Sequence, residues 1–351
     1  MAGQKPQIPR SHFPDDVILK ILARLSVKSL LRFRCICKSW NSNITNPYFI
    51  ATHLKQSKDR LLYTAFLKEQ YCLGVCDEGY NKILEIGNSF PFSSGFIQLA
   101  GSRNGLLCLV VRDCVGYSYW RPEADMVYLW NYSTRKLKTL PSTCLRLSGR
   151  FKRNSYGFAY DSENDDYKIV RTTLDSWLGP RHWKAESELP PRLSVEMDEM
   201  KRVGDLANLC EYKGKLGLFI CTYANGRPPI YTNISIWVMR DCGVAESWTK
   251  SVVVQFHEPV GFLGGTEDGA LVIRKLSDWS KTILVRPETS SKKFVVVHPI
   301  SCTTSWKESL VPLKGTNVIS WNREIEYLNS WNPEIEYLKS GVVLVSNLGL
   351  K

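Results

Sequence analysis

The chain has 351 residues, 44% hydrophobic and 23% charged, an ordinary globular balance at about twice the size of a single domain. This excludes a wholly disordered or collagenous chain, and the longest apolar run, Leu106 to Val111, is far short of the ~18–20 residues of a membrane span. The net charge is +12, and residues 1–60 hold +8 of it, with 11 basic and 3 acidic side chains. Such a basic segment suits nucleic acid, an anionic membrane or an acidic protein, and charge alone does not choose among them.

The first residues, MAGQKPQIPRSHFPDD, contain no apolar h-region, and the alanine after Met1 excludes N-myristoylation there. The expectation is a soluble protein of the cytoplasm and/or nucleus, with no membrane partner. The eleven cysteines form no CxxC, the nearest pairs being Cys35/Cys37 and Cys72/Cys76, and the five histidines supply no HxxxH. Reduced, mostly buried thiols are therefore expected, with no zinc site and no other metal or cofactor.

From Pro14 the chain reads PDDVILKILARLSVKSLLRFRCICKSWNSNITNPYF. Asp15 or Asp16 is placed to cap a first helix, along which Val17, Ile18, Ile21, Leu22 and Leu25 form one apolar stripe. Ser26 is placed to cap a second helix carrying Val27, Leu30, Leu31 and Phe33. A third holds Ile36 and Trp40 and stops before Asn46-Pro47. Three helices in so few residues bury little surface, since domains below about 40 residues usually need help to stay folded. Leu30, Leu31, Ile36 and Trp40 are too many apolar groups for that core, so either a partner or the rest of the chain covers them.

This stretch resembles an F-box in its plant form, LPxxxxxxILxRLPVKSLLRFRCVCKSW, over roughly residues 12–50. Phe13 stands where the family usually has leucine, and Ser26 where it usually has proline. The resemblance implies a small three-helix domain, bounded here at 8–53, that docks onto an acidic Skp-like adaptor and through it a cullin scaffold. By correspondence, Pro14, Ile18, Leu22, Leu25, Leu30, Leu31, Cys35, Ile36 and Trp40 are the adaptor-facing or core-forming positions. Arg32, Arg34 and Lys38 are basic rim contacts, which steer association more than they add affinity.

After residue 60 helical periodicity gives way to strand-like runs. Residues 128–130 and 135–141 flank a turn, as do 156–160 and 167–171, 234–238 and 248–254, and 270–275 and 282–286, with FVVV at 294–297 following. Repeated hairpins with Gly, Asp and Asn turns indicate antiparallel β architecture, sandwich or propeller. The segments SRNGLLCL (102–109), YLWNYSTRKLKTLP (128–141), YGFAYDSENDDYKIV (156–170) and ISIWVMRDCGVAESWTKSVVV (234–254) resemble successive blocks of the kelch-related F-box-associated domain. That likeness implies a propeller-like domain over 60–345. Tyr132 replaces the usual proline of its WNPSTRK block. Residues 171–215 depart from the family, being polar and weakly periodic, so part of one or two blades is expected to be missing or replaced by a loop. The tandem SWNREIEYLN (320–329) and SWNPEIEYLK (330–339) is too short for a blade repeat and reads as local duplication of a strand or amphipathic segment.

No GxSxG, HExxH, Walker loop or strand-linked GxGxxG occurs, so no catalytic site is expected. Gly261-Phe-Leu-Gly-Gly265 lacks the Lys-Ser/Thr of a phosphate loop and reads as a β-turn. Asp161, Glu163, Asp165 and Asp166 lack the glycine and glutamate of an EF-hand and read as a solvated hairpin tip. Trp120, Trp177, Trp183 and Trp279 lie in polar, turn-like contexts and are the candidate target-binding anchors, with core packing as the bland alternative. The resemblance implies a non-catalytic receptor that brings a target protein to an SCF-type ubiquitin ligase. Two rivals stand beside it: an adaptor-binding protein that delivers no target, and a basic nucleic-acid-binding protein, which ranks lower because the basic residues sit on the F-box-like stretch.

Overall fold

The computed structural model describes residues 14–67, 70–77, 82–86, 96–112, 125–140, 152–162, 165–175, 206–223, 231–241, 244–278, 281–289, 291–295, 300–315, 317–320 and 343–345. Four helices come first, one more than the sequence pattern indicates: α1 Asp15–Leu22, α2 Val27–Phe33, α3 Lys38–Thr45 and α4 Pro47–Gln56. The fourth was hidden by Asn46-Pro47, which ends α3 but also starts α4. Proline sits in the first turn of α4, where its missing N–H costs nothing, and Asn46 Oδ1 accepts from Tyr48 N at 2.8 Å.

The strands that follow are β1 Arg60–Leu67, β2 Gln70–Cys76, β3 Lys82–Ile86, β4 Phe96–Arg103, β5 Leu106–Arg112, β6 Met126–Asn131 and β7 Lys136–Thr139. Next come β8 Lys152–Asp161, β9 Asp166–Asp175, β10 Leu206–Tyr212, β11 Lys215–Tyr223, β12 Thr232–Met239 and β13 Trp248–Phe256. The last are β14 Val260–Gly265, β15 Leu271–Lys275, β16 Thr282–Arg286, β17 Ser291–Val295, β18 Ile300–Trp306, β19 Val318–Ser320 and β20 Val343–Val345. They form five antiparallel sheets, ordered β18-β1-β2-β3, β19-β7-β6-β5-β4, β20-β9-β8, β10-β11-β12-β13 and β14-β15-β16-β17. The antiparallel architecture expected from the hairpin pattern is what the strands adopt.

Neighbouring sheets meet through particular strands. Strand β4 lies against β18 and β8, β8 against β10, β10 against β14, and β14 against β18. A separate apolar cluster fills each junction. Leu62, Leu107 and Trp130 lie between the first two sheets, and Cys108, Leu129 and Phe158 between the next pair. Val170 and Leu218, then Phe219 and Leu271, and finally Tyr63 and Leu284 fill the other three. Strands such as Leu106–Val110 are buried on both faces, which explains their unbroken apolar runs. Strand β1, at the start of the β region, pairs with β18 near its end, from Arg60↔Trp306 to Ala65↔Ile300, within one sheet.

Two sequence expectations fail here, the first through close backbone approach and the second through polar pairing. Residues 261–265 are not a turn but part of β14. A Cβ on Gly264 would strike Thr303, and one on Gly265 the Glu211 carbonyl, so the glycines serve contact with β18 and β10. The acidic tip between β8 and β9 is not fully solvated: Asp165 is exposed, but Asp161 and Asp166 are buried. Lys168 Nζ lies 2.5 Å from Asp161 Oδ2, and Asp166 Oδ1 accepts from Tyr167 N at 2.8 Å.

The departing segment 171–215 begins in β9, includes β10 and ends at the first residue of β11, while residues 176–205 lie outside the described residues. The far edge of β9 is occupied by β20 from the C-terminal part of the chain. The tandem duplication also lies outside the described residues, except Ser320. Among the described residues no helix is long and apolar enough to cross a membrane, and no cluster of possible metal ligands occurs.

Candidate partner-binding surface

The helical unit has a small core of its own, formed by Leu22, Ala23, Val27, Leu30, Ile44 and Phe49, to which the β region adds Leu310. Ser26 caps α2 as its spacing indicates, its Oγ accepting from Ser29 N at 3.3 Å. The start of α1 differs from expectation. Pro14 is the N-cap with no side-chain bond, and Asp15 and Asp16 sit in the first turn, where they complement the helix dipole. Buried His53 on α4 ties the helices together through Nε2, 2.9 Å from the Leu25 carbonyl.

The candidate adaptor residues divide by exposure. Leu22 and Leu30 are fully inside and hold the helices together rather than facing out. Ile18, Leu25, Leu31 and Trp40 are half-buried against that core, and Pro14, Arg32, Cys35, Ile36 and Lys38 are exposed. Ile36 therefore precedes the third helix instead of lying in it. It sits in the tight turn between α2 and α3, where Cys35 N donates to Arg32 O and Ile36 N to Phe33 O, both at 3.1 Å.

That turn presents an apolar side chain to water: Ile36 is 60% exposed. Arg32, Arg34 and Lys38 surround it in the chain, all exposed. The turn is held firmly. Phe33 and Trp40 meet edge to face with centroids 5.4 Å apart, Arg34 Nε donates to Asn41 Oδ1 at 2.9 Å, and Cys37 Sγ accepts from Trp40 N at 3.5 Å. The turn thus combines an exposed apolar side chain with three exposed basic neighbours in sequence. Two more exposed apolar groups, Ile21 at 54% and Tyr48 at 82%, were not singled out from sequence. Ile21 was hidden within the apolar stripe of α1, and Tyr48 belongs to the unrecognised α4.

Of the cysteines, Cys35 and Cys37 are exposed on this turn, whereas Cys72, Cys76, Cys108 and Cys221 are buried. No disulfide joins the described cysteines. The departure at Tyr132 leaves an ordered turn: Thr134 N donates to Asn131 Oδ1 at 3.1 Å, and the Tyr132 ring contacts Trp130 and Trp306 edge-on.

The candidate target anchors Trp120, Trp177, Trp183 and Trp279 all lie outside the described residues. The strand ends flanking them are placed. Arg103 at the end of β4 lies 2.5 Å from Glu211 at the end of β10 and donates to Gly214 O at 2.6 Å. Asn104 bonds the Tyr167 hydroxyl near the start of β9 at 3.0 Å, and Glu267 N after β14 donates to Ser305 Oγ at 2.8 Å. These hairpin ends converge where Glu308 and Leu310 reach the helices. Antiparallel pairing then sets Arg112, Met126, Asp175, Leu206, Lys275 and Thr282 at the opposite end of the sheets.

Residues 11–52 match the family model described as F-box domain. The F-box protein At5g49610 of Arabidopsis thaliana is 33% identical over 173 residues, 48% of this chain and 45% of that protein. The F-box/kelch-repeat protein At3g23880 of the same plant is 31% identical over 171 residues, 45% of this chain and 44% of its own length. At lower identity, 24%, the Arabidopsis F-box/LRR-repeat protein At2g40920 aligns over 91% of this chain and 85% of itself. The chain thus spans under half the length of the relatives it matches at 30% identity or more, and it carries an F-box domain like those of plant F-box proteins.

Proposed function

We propose that this F-box chain is the substrate-receptor subunit of an SCF-type, cullin-RING ubiquitin ligase, bound through its helices to a Skp-like adaptor and thereby to a cullin. The observation that carries this reading is the exposed Ile36 knob with its basic surround, on a domain matching the F-box. The contribution of the chain is proximity rather than bond making: a target held near the charged conjugating enzyme reacts at a raised effective concentration. The complex works in the cytoplasm and/or nucleus.

We read the five sheets as a propeller-like ring with the helices at one end. Strand ends flanking Trp120, Trp177, Trp183 and Trp279 lie at the other end. Target capture there leaves the adaptor surface unobstructed.

The test is reconstitution of the full chain with a Skp-type adaptor and a cullin. Co-elution as a ternary complex, together with a ubiquitin-dependent fall in at least one protein when the chain is expressed, supports the reading. A folded chain that ignores the adaptor overturns it. An adaptor-bound chain that changes no protein's abundance replaces it with a non-delivering competitor.

A further inference from the structure

We infer that the extended segment Lys307–Leu313 is a strap fastening the adaptor-facing helices to the β sheets, and that Glu308 is its positioning residue. The segment works by alternation. Glu308 and Leu310 point to the helices, while Ser309, Val311 and Leu313 point to the sheets.

On the helical side, Glu308 Oε2 accepts from Val27 N at 3.1 Å. Val27 is the first residue of α2, so its N–H has no acceptor within the helix. The cap Ser26 already serves Ser29, leaving the Val27 bond to a residue 281 positions away. The other carboxylate oxygen, Oε1, lies 3.4 Å from Arg60 Nη1 at the start of β1, so one side chain reaches both units. Two residues on, Leu310 is buried in the helical core.

On the sheet side, Ser309 has no exposed surface. Its N–H donates to Ser133 Oγ at 3.1 Å, and Asn131 Nδ2 donates to the carbonyls of Ser309 at 3.1 Å and Val311 at 2.8 Å. Leu313 lies in the cluster between the β4 and β8 sheets. Gly105, at φ +77, sits so close to Ser309 that a side chain there would collide with the strap. Lys307 adds ion pairs to Asp59, just before β1, at 3.1 Å and to Glu267 at 3.7 Å.

The strap fixes the angle and distance between the docking turn and the opposite end of the sheets. That geometry matters to a receptor because it sets where a captured target lysine is held. This use rests on the receptor reading above; the strap itself does not.

Amide hydrogen exchange on the full-length chain provides the test. Glu308→Ala should speed exchange at Val27 at least tenfold, while Leu107–Leu109 amides in β5 stay protected. Glu308→Gln, which keeps an acceptor oxygen, should restore most of the protection. Distances between labels placed through non-natural side chains at Lys20 and Gln255 should be narrowly distributed in the wild type and broadened in Glu308→Ala. Unchanged Val27 exchange in Glu308→Ala, or equally narrow distances, would overturn the strap. If Glu308→Ala loosens the whole chain, Glu308→Gln decides: wild-type-like Val27 protection supports the acceptor role and unprotected Val27 contradicts it. Adaptor co-purification, measured separately, should be retained by Glu308→Ala. A wild type that fails to bind adaptor sinks the receptor reading and leaves the exchange result standing.

Discussion

The helices and the β sheets of this chain differ in how far each covers its own apolar surface. Each junction between sheets encloses a cluster whose members are almost all below a tenth exposed, such as Trp130 and Phe219 at 0%. The four helices enclose only Leu22, Ala23, Val27, Leu30, Ile44 and Phe49, need Leu310 from outside, and leave Ile36 in water. In the proposed receptor reading, the exposed Ile36 on its braced turn serves a partner, beside the exposed Arg32, Arg34 and Lys38. The sheets are organised to hold shape. The difference also separates two kinds of substitution that a sequence pattern lumps together: those that break the fold and those that break an interface.

The largest effects should come from the sheet junctions. Trp130→Ala should cost roughly 3–5 kcal/mol, lowering the denaturation midpoint of the whole chain. Within the helices, Leu30→Ala should cost about 2–5 kcal/mol and reduce helical circular dichroism before the β signal changes. Leu22 belongs to the same class, so a polar residue at Leu22 tests folding rather than docking. Ile36→Asp sharpens the contrast: thermal unfolding should shift by no more than about 0.5 kcal/mol while adaptor binding is lost.

A pH titration probes the sheets specifically. Burial pushes the Glu211 carboxyl up from 4.5 to about 7, against the opposing pull of Arg103 beside it. A raised folded-state value means that this group's stabilising contribution is complete below about 4.5 and is lost as pH rises through 7. Stability of the β region should therefore decline between pH 5 and 8, and Glu211→Gln should flatten that slope in denaturant titrations. An identical slope in both proteins would contradict the assignment. The smallest effect belongs to the rim: Arg32→Gln with Lys38→Gln should slow adaptor association and weaken its salt dependence, with little change in dissociation.

Local signals were legible where structure is local. Ser26 before Val27 indicated its cap, and the alternation of Tyr156, Phe158 and Tyr160 placed a strand that the fold contains. What was hidden depends on distant partners. Nothing near Gly264 announces that Thr303 will press against it, so five residues with three glycines resembled a turn. Nothing near residue 310 announces that its leucine completes a helical core begun at residue 22. Likewise the F-box pattern marked Leu22 and Ile36 alike, because an apolar letter does not record which way its side chain faces. The second edge of β9, filled by β20, is a pairing between residues 169–171 and 343–345 that no local window contains.

The central claim is that the braced Ile36 turn is the docking surface of the chain. The most direct measurement is the affinity of the full-length protein for a purified Skp-type adaptor, wild type beside Ile36→Asp, with a thermal melt of each. Tight binding by the wild type, at least a tenfold loss in Ile36→Asp and superimposable melts are the predicted result. Equal binding by both proteins, or no binding by a well-folded wild type, would contradict the account.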